Sequence, residues 1–344
     1  MSISVPEPQT GEDAEPVDSG KSARKPWRRR AICAVTAALG LCVVWFVANR
    51  VLAPGSSVRV YELGVGSAGE SPFKGTLRIA AYNIAHGRGL AKTNWQVGKK
   101  ESQLQRLRAI GQFLRREKID IAILNEVDFD SFWTSHVDQA RVIAQEAGFP
   151  YWAEQRNVDA AIPLASLRWG NAVLSRYPIA ECRMVDFPAR ARWIKVVAGH
   201  KRGLLCKVKL TGPLAIQVLA VHLDHVSESV RIDSVERIDA LRARIALPMI
   251  LAGDFNSTPR EFPKAHPDAN GRTAMSCLLA KGAYRTAPTG KAEKSDLTFP
   301  STDPKSVIDW ILIPKNWQVL AKSVPASTLS DHNPVIMDVR MSGQ

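Results

Sequence analysis

The sequence predicts a mixed α/β fold whose sheets combine parallel and hairpin-type connections, preceded by one membrane-spanning helix. Three observations carry this. Short apolar runs of strand length recur from Thr76 to the end of the chain. Between them lie stretches with apolar residues at helical spacing, such as Leu104, Leu107, Ile110 and Leu114. Some runs follow one another too closely for a crossover helix, so the sheets cannot be purely parallel. Ahead of all this, Ala31–Ala48 holds 18 residues without a charge, the least that crosses a bilayer.

The front of the chain reads in four steps. Residues 1–30 begin rich in Pro, Glu, Asp, Ser and Gly, too polar to bury a core. They end in a basic cluster, Lys21, Arg24, Lys25, Arg28, Arg29 and Arg30. Residues 31–52 follow as the apolar segment. A buried core helix would show polar interruptions, and none occur. A cleaved signal peptide would show a shorter apolar core and a clean small-residue cleavage site. An uncleaved signal anchor fits best, with its basic flank in the cytoplasm and everything after Arg50 outside it. Residues 53–75 read as a linker, and 76–341 as the globular domain.

Within that domain, Leu77–Ala85 is expected as a strand, Glu101–Glu117 as a helix, Ile119–Val127 as a buried strand and Ser135–Ala147 as a second helix. The runs NAVLSRYPI, GLLCKVKL and LAIQVLAVHL are strands, followed by a helix over Glu228–Ile245. PMILAGDFN is the next strand, and Met275–Ala280 a short helix in a polar stretch. SVIDWILIP and NPVIMDVRM close the chain as strands.

The 344 residues carry a formal charge of +13, and residues 1–30 hold six Lys/Arg against five Asp/Glu, so nearly all the excess lies beyond them. A basic surface favours anionic partners such as nucleic acid, phospholipid headgroups or phosphorylated metabolites. The five cysteines show no C-x-x-C spacing, which argues against a zinc site. Cys182, Cys206 and Cys277 read as free thiols, with one disulfide as the alternative and no pair indicated.

Polar residues recur at the ends of the apolar runs. In LAGDFNSTP, Asp254 and Asn256 are two apart and would share a face. A carboxylate and a carboxamide so placed can orient water or bind a hard cation. Asn83 follows LRIAAY, Glu126 follows IDIAILN, and His222 and Asp224 follow IQVLAV. Asp309 interrupts an apolar strand, where a carboxylate must be paired. Asp331 and His332 precede the last strand. Each alone has an ordinary structural explanation. Together they suggest strand ends converging on one rim, where α/β enzymes place their sites.

The blocks YNI, NEVD, GNAVLSRYPI, HLDH, GDFNSTP, VIDWI and SDHNPV, in this order, resemble the endonuclease/exonuclease/phosphatase superfamily over about Leu77–Met341. The resemblance implies a four-layer sandwich, two packed mixed β-sheets flanked by helices, with the site at the sheet rim. It implies that Glu126 is the main ligand of a divalent metal, Mg²⁺ with Mn²⁺ as the alternative, and that Asn83 and Asp331 complete the site. Asp254 would activate the attacking water and Asn256 orient it or the phosphate. His332 would stabilise or protonate the scissile phosphate, with Asp309 orienting its ring, and His222 would be a second active-site histidine. Asn171, Asp224 and Arg231 are the expected substrate-side residues, the last two as an ion pair framing the site. Two departures stand out. Asn125 replaces the usual Gln, a change that keeps support for the loop. Val307 stands where relatives carry Arg, which leaves Lys305 as a candidate replacement cation.

The implied activity is hydrolysis of a phosphodiester by direct water attack, in nucleic acid or a phospholipid headgroup, by a monomer anchored through residues 31–52. The alternatives are a phosphomonoesterase of inositol phosphates or other small molecules, and an inactive binding module. The complete residue set argues against the last. Basic and aromatic residues in two loops, Arg88, Lys92, Trp95 and Lys99, and Trp193, Lys195, His200 and Lys201, suit phosphate contact, base stacking or a membrane interface.

Overall fold

Strands and helices alternate along the computed structural model much as the apolar pattern dictates. The structure describes residues 26–52, 58–63, 73–96, 98–162, 165–190 and 201–342. The polar tail before Pro26, most of the expected linker, and Trp193, Lys195 and His200 lie outside them. The chain divides into two units, Met1–Val47 and Ala48–Gln344.

Helix α1 spans Pro26–Leu52 and so begins five residues before the apolar segment. Its stretch Trp27–Asn49 is long and apolar enough to cross a membrane, with none of it buried within the protein.

The larger unit holds two mixed sheets. The first has strands β1 (Val58–Glu62), β2 (Thr76–Asn83), β3 (Ile121–Asp128), β4 (Tyr151–Ile162), β5 (Ala165–Ser175), β12 (Gln318–Ser323) and β13 (Val335–Arg340). Their order is β1-β4-β5-β3-β2-β13-β12. The second has β6 (Ile179–Asp186), β7 (Arg202–Thr211), β8 (Leu214–His222), β9 (Met249–Asp254), β10 (Tyr284–Arg285) and β11 (Asp309–Pro314), in the order β10-β11-β9-β8-β7-β6. Among the described residues, only β2–β3 and β8–β9 run parallel. Each of these two pairs is joined by a connection containing a helix, α2 (Lys100–Arg116) and α4 (Glu228–Arg242), as a parallel connection requires. Helices α3 (Gln139–Ala147) and α5 (Ala274–Ala280) are the others among the described residues. Side-chain caps fix three starts: Asp138 accepts from Arg141 N, Ser227 from Val230 N, and Thr273 from Ser276 N.

Alternation along the strands sorts the core into three layers. Ile79, Ile123, Val218, Ala252 and Ile311 fill the space between the sheets. Tyr82, Leu124, Leu107, Ile110 and Ile143 join the first sheet to α2 and α3. Leu219, Leu251, Val235, Ile238 and Met275 join the second sheet to α4 and α5. The result is helix, sheet, sheet, helix, the four layers the motifs implied.

The expected linker 53–75 contains a strand. β1 pairs antiparallel with β4 along the whole run Val58–Glu62, because the sheet edge offers unpaired backbone groups. Cys182 and Cys206 face each other as register partners on β6 and β7, with their sulfurs 2.7 Å apart as free thiols. The third, Cys277, is also free.

Candidate active site

The strand rims bring the chemistry together. Asn83, His222 and Asp254 are the last residues of β2, β8 and β9. In register, His222 lies beside Asp254, and Asp254 beside Asp309 at the start of antiparallel β11. Glu126 sits at a bulge in β3, where the pairing with β5 slips between Asn125 and Val127, and its φ is +52°. A bulge re-aims one side chain out of the strand alternation. Asp331 and His332 come from the segment before β13, fastened where Ser330 Oγ donates to Asn83 O at 2.7 Å.

Gly253 is required at its place. With φ at +132°, a Cβ there would lie 2.1 Å from Val221 O and 2.7 Å from Asn125 Oδ1. That close approach lets Asp254 N donate to Asn125 Oδ1 at 2.9 Å. Asn125 in turn donates to Asn171 Oδ1 at 2.8 Å, so the shorter amide does support the loop.

These rims enclose a cleft of about 550 Å³, lined among others by Glu126, His222, Asp224, Asp254, Asn256, Asp331 and His332. Asn83 and Asp309 stand directly behind the lining. Asn83 Nδ2 donates to Asp254 Oδ2 at 3.1 Å and to Glu126 Oε1 at 3.3 Å. His332 Nδ1 donates to Asp309 Oδ2 at 2.9 Å. Asn256 N donates to Asp254 Oδ1 at 2.8 Å, and its side chain to Leu223 O at 3.3 Å.

The electrostatics separate the groups. Burial opposes the charge on Glu126, yet His86, His222, His332 and the Asn83 amide outweigh it and bring the carboxyl down to about 2. Burial and then the neighbouring Asp309 push Asp254 up to about 7. Burial also opposes the charge on His332, but its carboxylate neighbours, Asp309 first, raise it to about 10. His222 goes the other way: burial, then Lys201, hold it well below the ordinary range. Its Nε2 lies 3.8 Å from Asp254 and 3.9 Å from Glu126, while Nδ1 is buried without a partner. Asp309 Oδ1 is likewise buried and unpartnered.

Three expectations need correction. Asn171 is fully buried and does not line the cleft. Its amide donates to Gln155 Oε1 and to Arg202 O, both at 2.8 Å, which makes it a brace under Asn125. Arg231 does not pair with the Asp224 carboxylate. It pairs with Glu228 and donates to the main-chain oxygen of Asp224 at 2.6 Å. Glu228 also accepts from Ser257 Oγ at 2.6 Å, so this buried group ties α4 to the GDFN turn. The Asp224 carboxylate does reach the cleft, holding Val226 N and Ser227 N and lying 3.6 Å from Arg190. Lys305 pairs on the surface with Asp303 at 2.8 Å and does not take the place of the missing Arg; Val307 is buried.

Sequence reasoning missed His86. It is buried with φ at +54°. Its Nδ1 meets Asp128 Oδ1 at 2.9 Å and its Nε2 lies 3.4 Å from Glu126, with Trp133 and Trp169 edge-on at 5.5 and 5.3 Å. The signal was an H-G following YNI by two residues, which is weak alone. Arg88, from a loop already singled out, binds Asp331 and lies 3.7 Å from Glu126.

Asp254, Asp309 and His332 present ligand atoms within 4.8 Å of one another, a group able to hold a divalent cation. The model of the endonuclease/exonuclease/phosphatase family matches residues 80–332. The chain belongs to this family. A family protein from Bacteroides thetaiotaomicron has a TM-score of 0.58 at 17% identity, covering 78% of this chain and 98% of that one. A mannosyl-6-phosphatase from Bacteroides thetaiotaomicron gives 0.54 at 19%, covering 77% and 100%. Sphingomyelinase C from Streptomyces griseocarneus gives 0.52 at 19%, covering 76% and 99%. At these identities the likeness is one of fold. No curated protein matches the chain. Family membership together with the Asp254, Asp309 and His332 cluster supports a phosphoesterase site and hydrolase activity.

Proposed function

We propose that the protein is a Mg²⁺-dependent phosphodiesterase that cleaves its substrate by a single in-line attack of water. The observation that carries this reading is the split between Asp254, pushed up to about 7, and His332, raised to about 10, across one cleft. Environments that drive two groups apart assign base and acid roles. Asp254 is the base near neutral pH that takes the proton of water, which Asn256 orients. His332 is an imidazolium that faces the phosphoryl oxygens and donates a proton or hydrogen bond to them. Asp309 holds its ring through Nδ1. His222 is a neutral hydrogen-bonding group on the other side of Asp254.

The donor set fits a hard cation. Glu126 stays ionised, Asp331 opens on the same cleft, and Asn83 stands against Glu126 at 3.3 Å. Mg²⁺ takes few carboxylates and keeps waters, and Mn²⁺ accepts similar ligands. A protonated His332 cannot ligate, so Glu126, with Asn83 and Asp331 beside it, would hold the ion. When bound, the ion neutralises charge that develops on the phosphoryl group.

The same reading places Trp27–Asn49 across a membrane as a signal anchor, with the basic tail cytoplasmic and a monomeric catalytic domain outside. The test is hydrolysis of bis-p-nitrophenyl phosphate and p-nitrophenyl phosphate by the purified full chain with Mg²⁺. Turnover of the diester, lost in Asp254→Ala and His332→Ala, is expected. Turnover of the monoester alone would favour a phosphatase, and turnover of neither would overturn the reading.

A further inference from the structure

Strand register connects the start of the folded domain to the cleft. Val58 pairs with Gln155, Gln155 with Asn171, Asn171 with Asn125, and Asn125 with Asn83. One backbone row thus runs from the first residue of β1 to the rim that carries the site. The chain enters the sheet on the active-site side. Residues 50–57 alone join Asn49, the end of the apolar stretch, to Val58. Nine peptide steps reach at most about 30 Å, less than the width of the domain, on the order of 50 Å for a compact unit this size.

The same rim carries most of the exposed apolar bulk. Outside α1, six large apolar side chains are exposed among the described residues: Val60, Leu90, Trp95, Phe132, Val226 and Leu320. Four of them follow rim strand ends, Leu90 and Trp95 after β2, Phe132 after β3 and Val226 after β8. Trp95, 73% exposed, packs on Phe132 at 5.9 Å and on Trp133 at 5.8 Å. Neither Trp95 nor Phe132 lines the cleft, whereas Trp133, Arg88, Lys92 and Arg190 do. Exposed aromatics flanked by basic groups suit the bilayer interface, where rings sit at headgroup level and cations meet anionic lipid.

We propose that this rim faces the bilayer: Trp95 and Phe132 seat in the interface, and the cleft takes its phosphoester from lipid headgroups of that leaflet. The inference rests on the phosphodiesterase reading and on Trp27–Asn49 spanning the membrane. Aromatic and basic groups suit lipid and nucleic acid alike; the short tether and the side on which it enters favour lipid.

The test uses the full chain in proteoliposomes of phosphatidylcholine, phosphatidylglycerol and sphingomyelin. Three rates are measured: release of phosphorylated headgroups, hydrolysis of added bis-p-nitrophenyl phosphate, and cleavage of added single-stranded DNA. The double variant Trp95→Ala, Phe132→Ala is expected to lose about tenfold in headgroup release, as lost interfacial burial of two rings implies, with the soluble diester rate unchanged. Exchanging the rings, Trp95→Phe with Phe132→Trp, should restore release. Headgroup release that the alanine pair leaves untouched, or DNA cleavage that alone falls, overturns the proposal. So does an equal fall in all three rates, which would make the rings part of the fold. Absence of soluble diester hydrolysis in the unmodified chain refutes the underlying activity instead.

Discussion

Two histidines flank Asp254, and the protein treats them oppositely. His332 has a carboxylate on Nδ1 and is driven up to about 10. His222 has no partner on Nδ1, stands near Lys201, and is driven down. Burial disfavours the imidazolium at both sites; at His332 the bonded Asp309 and its neighbours outweigh it, whereas at His222 Lys201 adds to burial and the Glu126 carboxylate does not offset the two. One side chain type therefore supplies a cation on one side of Asp254 and a neutral donor or acceptor on the other.

The largest expected effect comes from removing the charged side. Asp254→Ala and His332→Ala should each lower kcat about a thousandfold, the upper range for a lost general base or acid, as measured on bis-p-nitrophenyl phosphate. A smaller loss, about tenfold to a hundredfold, is expected for His222→Ala, which takes away a neutral ring able to hydrogen-bond the substrate and no proton carrier. Equal losses at both histidines would erase the distinction. Asp309→Asn keeps the shape and removes the charge. His332 should then titrate closer to its ordinary 6.5, and the alkaline limb of the pH–rate profile should move down from about 10.

Metal removal tests the other cluster. In EDTA the diester rate should vanish while circular dichroism stays unchanged, and Mg²⁺ or Mn²⁺ should restore it.

The smallest effect concerns stability in EDTA. Asp254 has a folded pKa raised from 3.8 to about 7, so the folded state holds its proton more tightly than the unfolded chain. Stability therefore falls as pH rises from about 4 to 7. His332, raised from 6.5 to about 10, contributes stability fully present below 6.5 and lost as pH climbs through 10. Both signs agree: the metal-free protein weakens toward alkaline pH. Asp254→Asn should raise Tm at pH 8 by about 5 °C, the scale of one to two kcal/mol in a domain this size. A lowered Tm would contradict the buried like-charge account of Asp254 and Asp309.

Much of this site was legible because its residues break strong local patterns. A carboxylate within VIDWILI or at the end of PMILAGD has no place in a packed strand unless another group meets it, and Asp309 and Asp254 are in fact register partners. The element order was readable for the same reason, since β2, β3, β8 and β9 are nearly continuous apolar runs. β4 was not. Its YWAEQRNVDAAI buries Glu154, Gln155 and Arg156, and polar residues satisfied by tertiary partners carry no strand signature. β1 was hidden by its brevity and mostly open faces. Asn171 and Arg231 sit in the right motifs, yet their hydrogen bonds turn them toward the scaffold. Local sequence cannot tell a polar group facing substrate from one bracing the groups that do. His86 shows the converse, a residue at the site whose partners, Asp128 and Glu126, lie about forty positions away.

The most direct test of the account is a ¹⁵N imidazole titration of the metal-free full chain, with His222→Ala and His332→Ala to assign the signals. The expected spectrum at pH 8 shows His332 protonated on both nitrogens and His222 neutral. Two histidines titrating together near their ordinary value of 6.5 would contradict it.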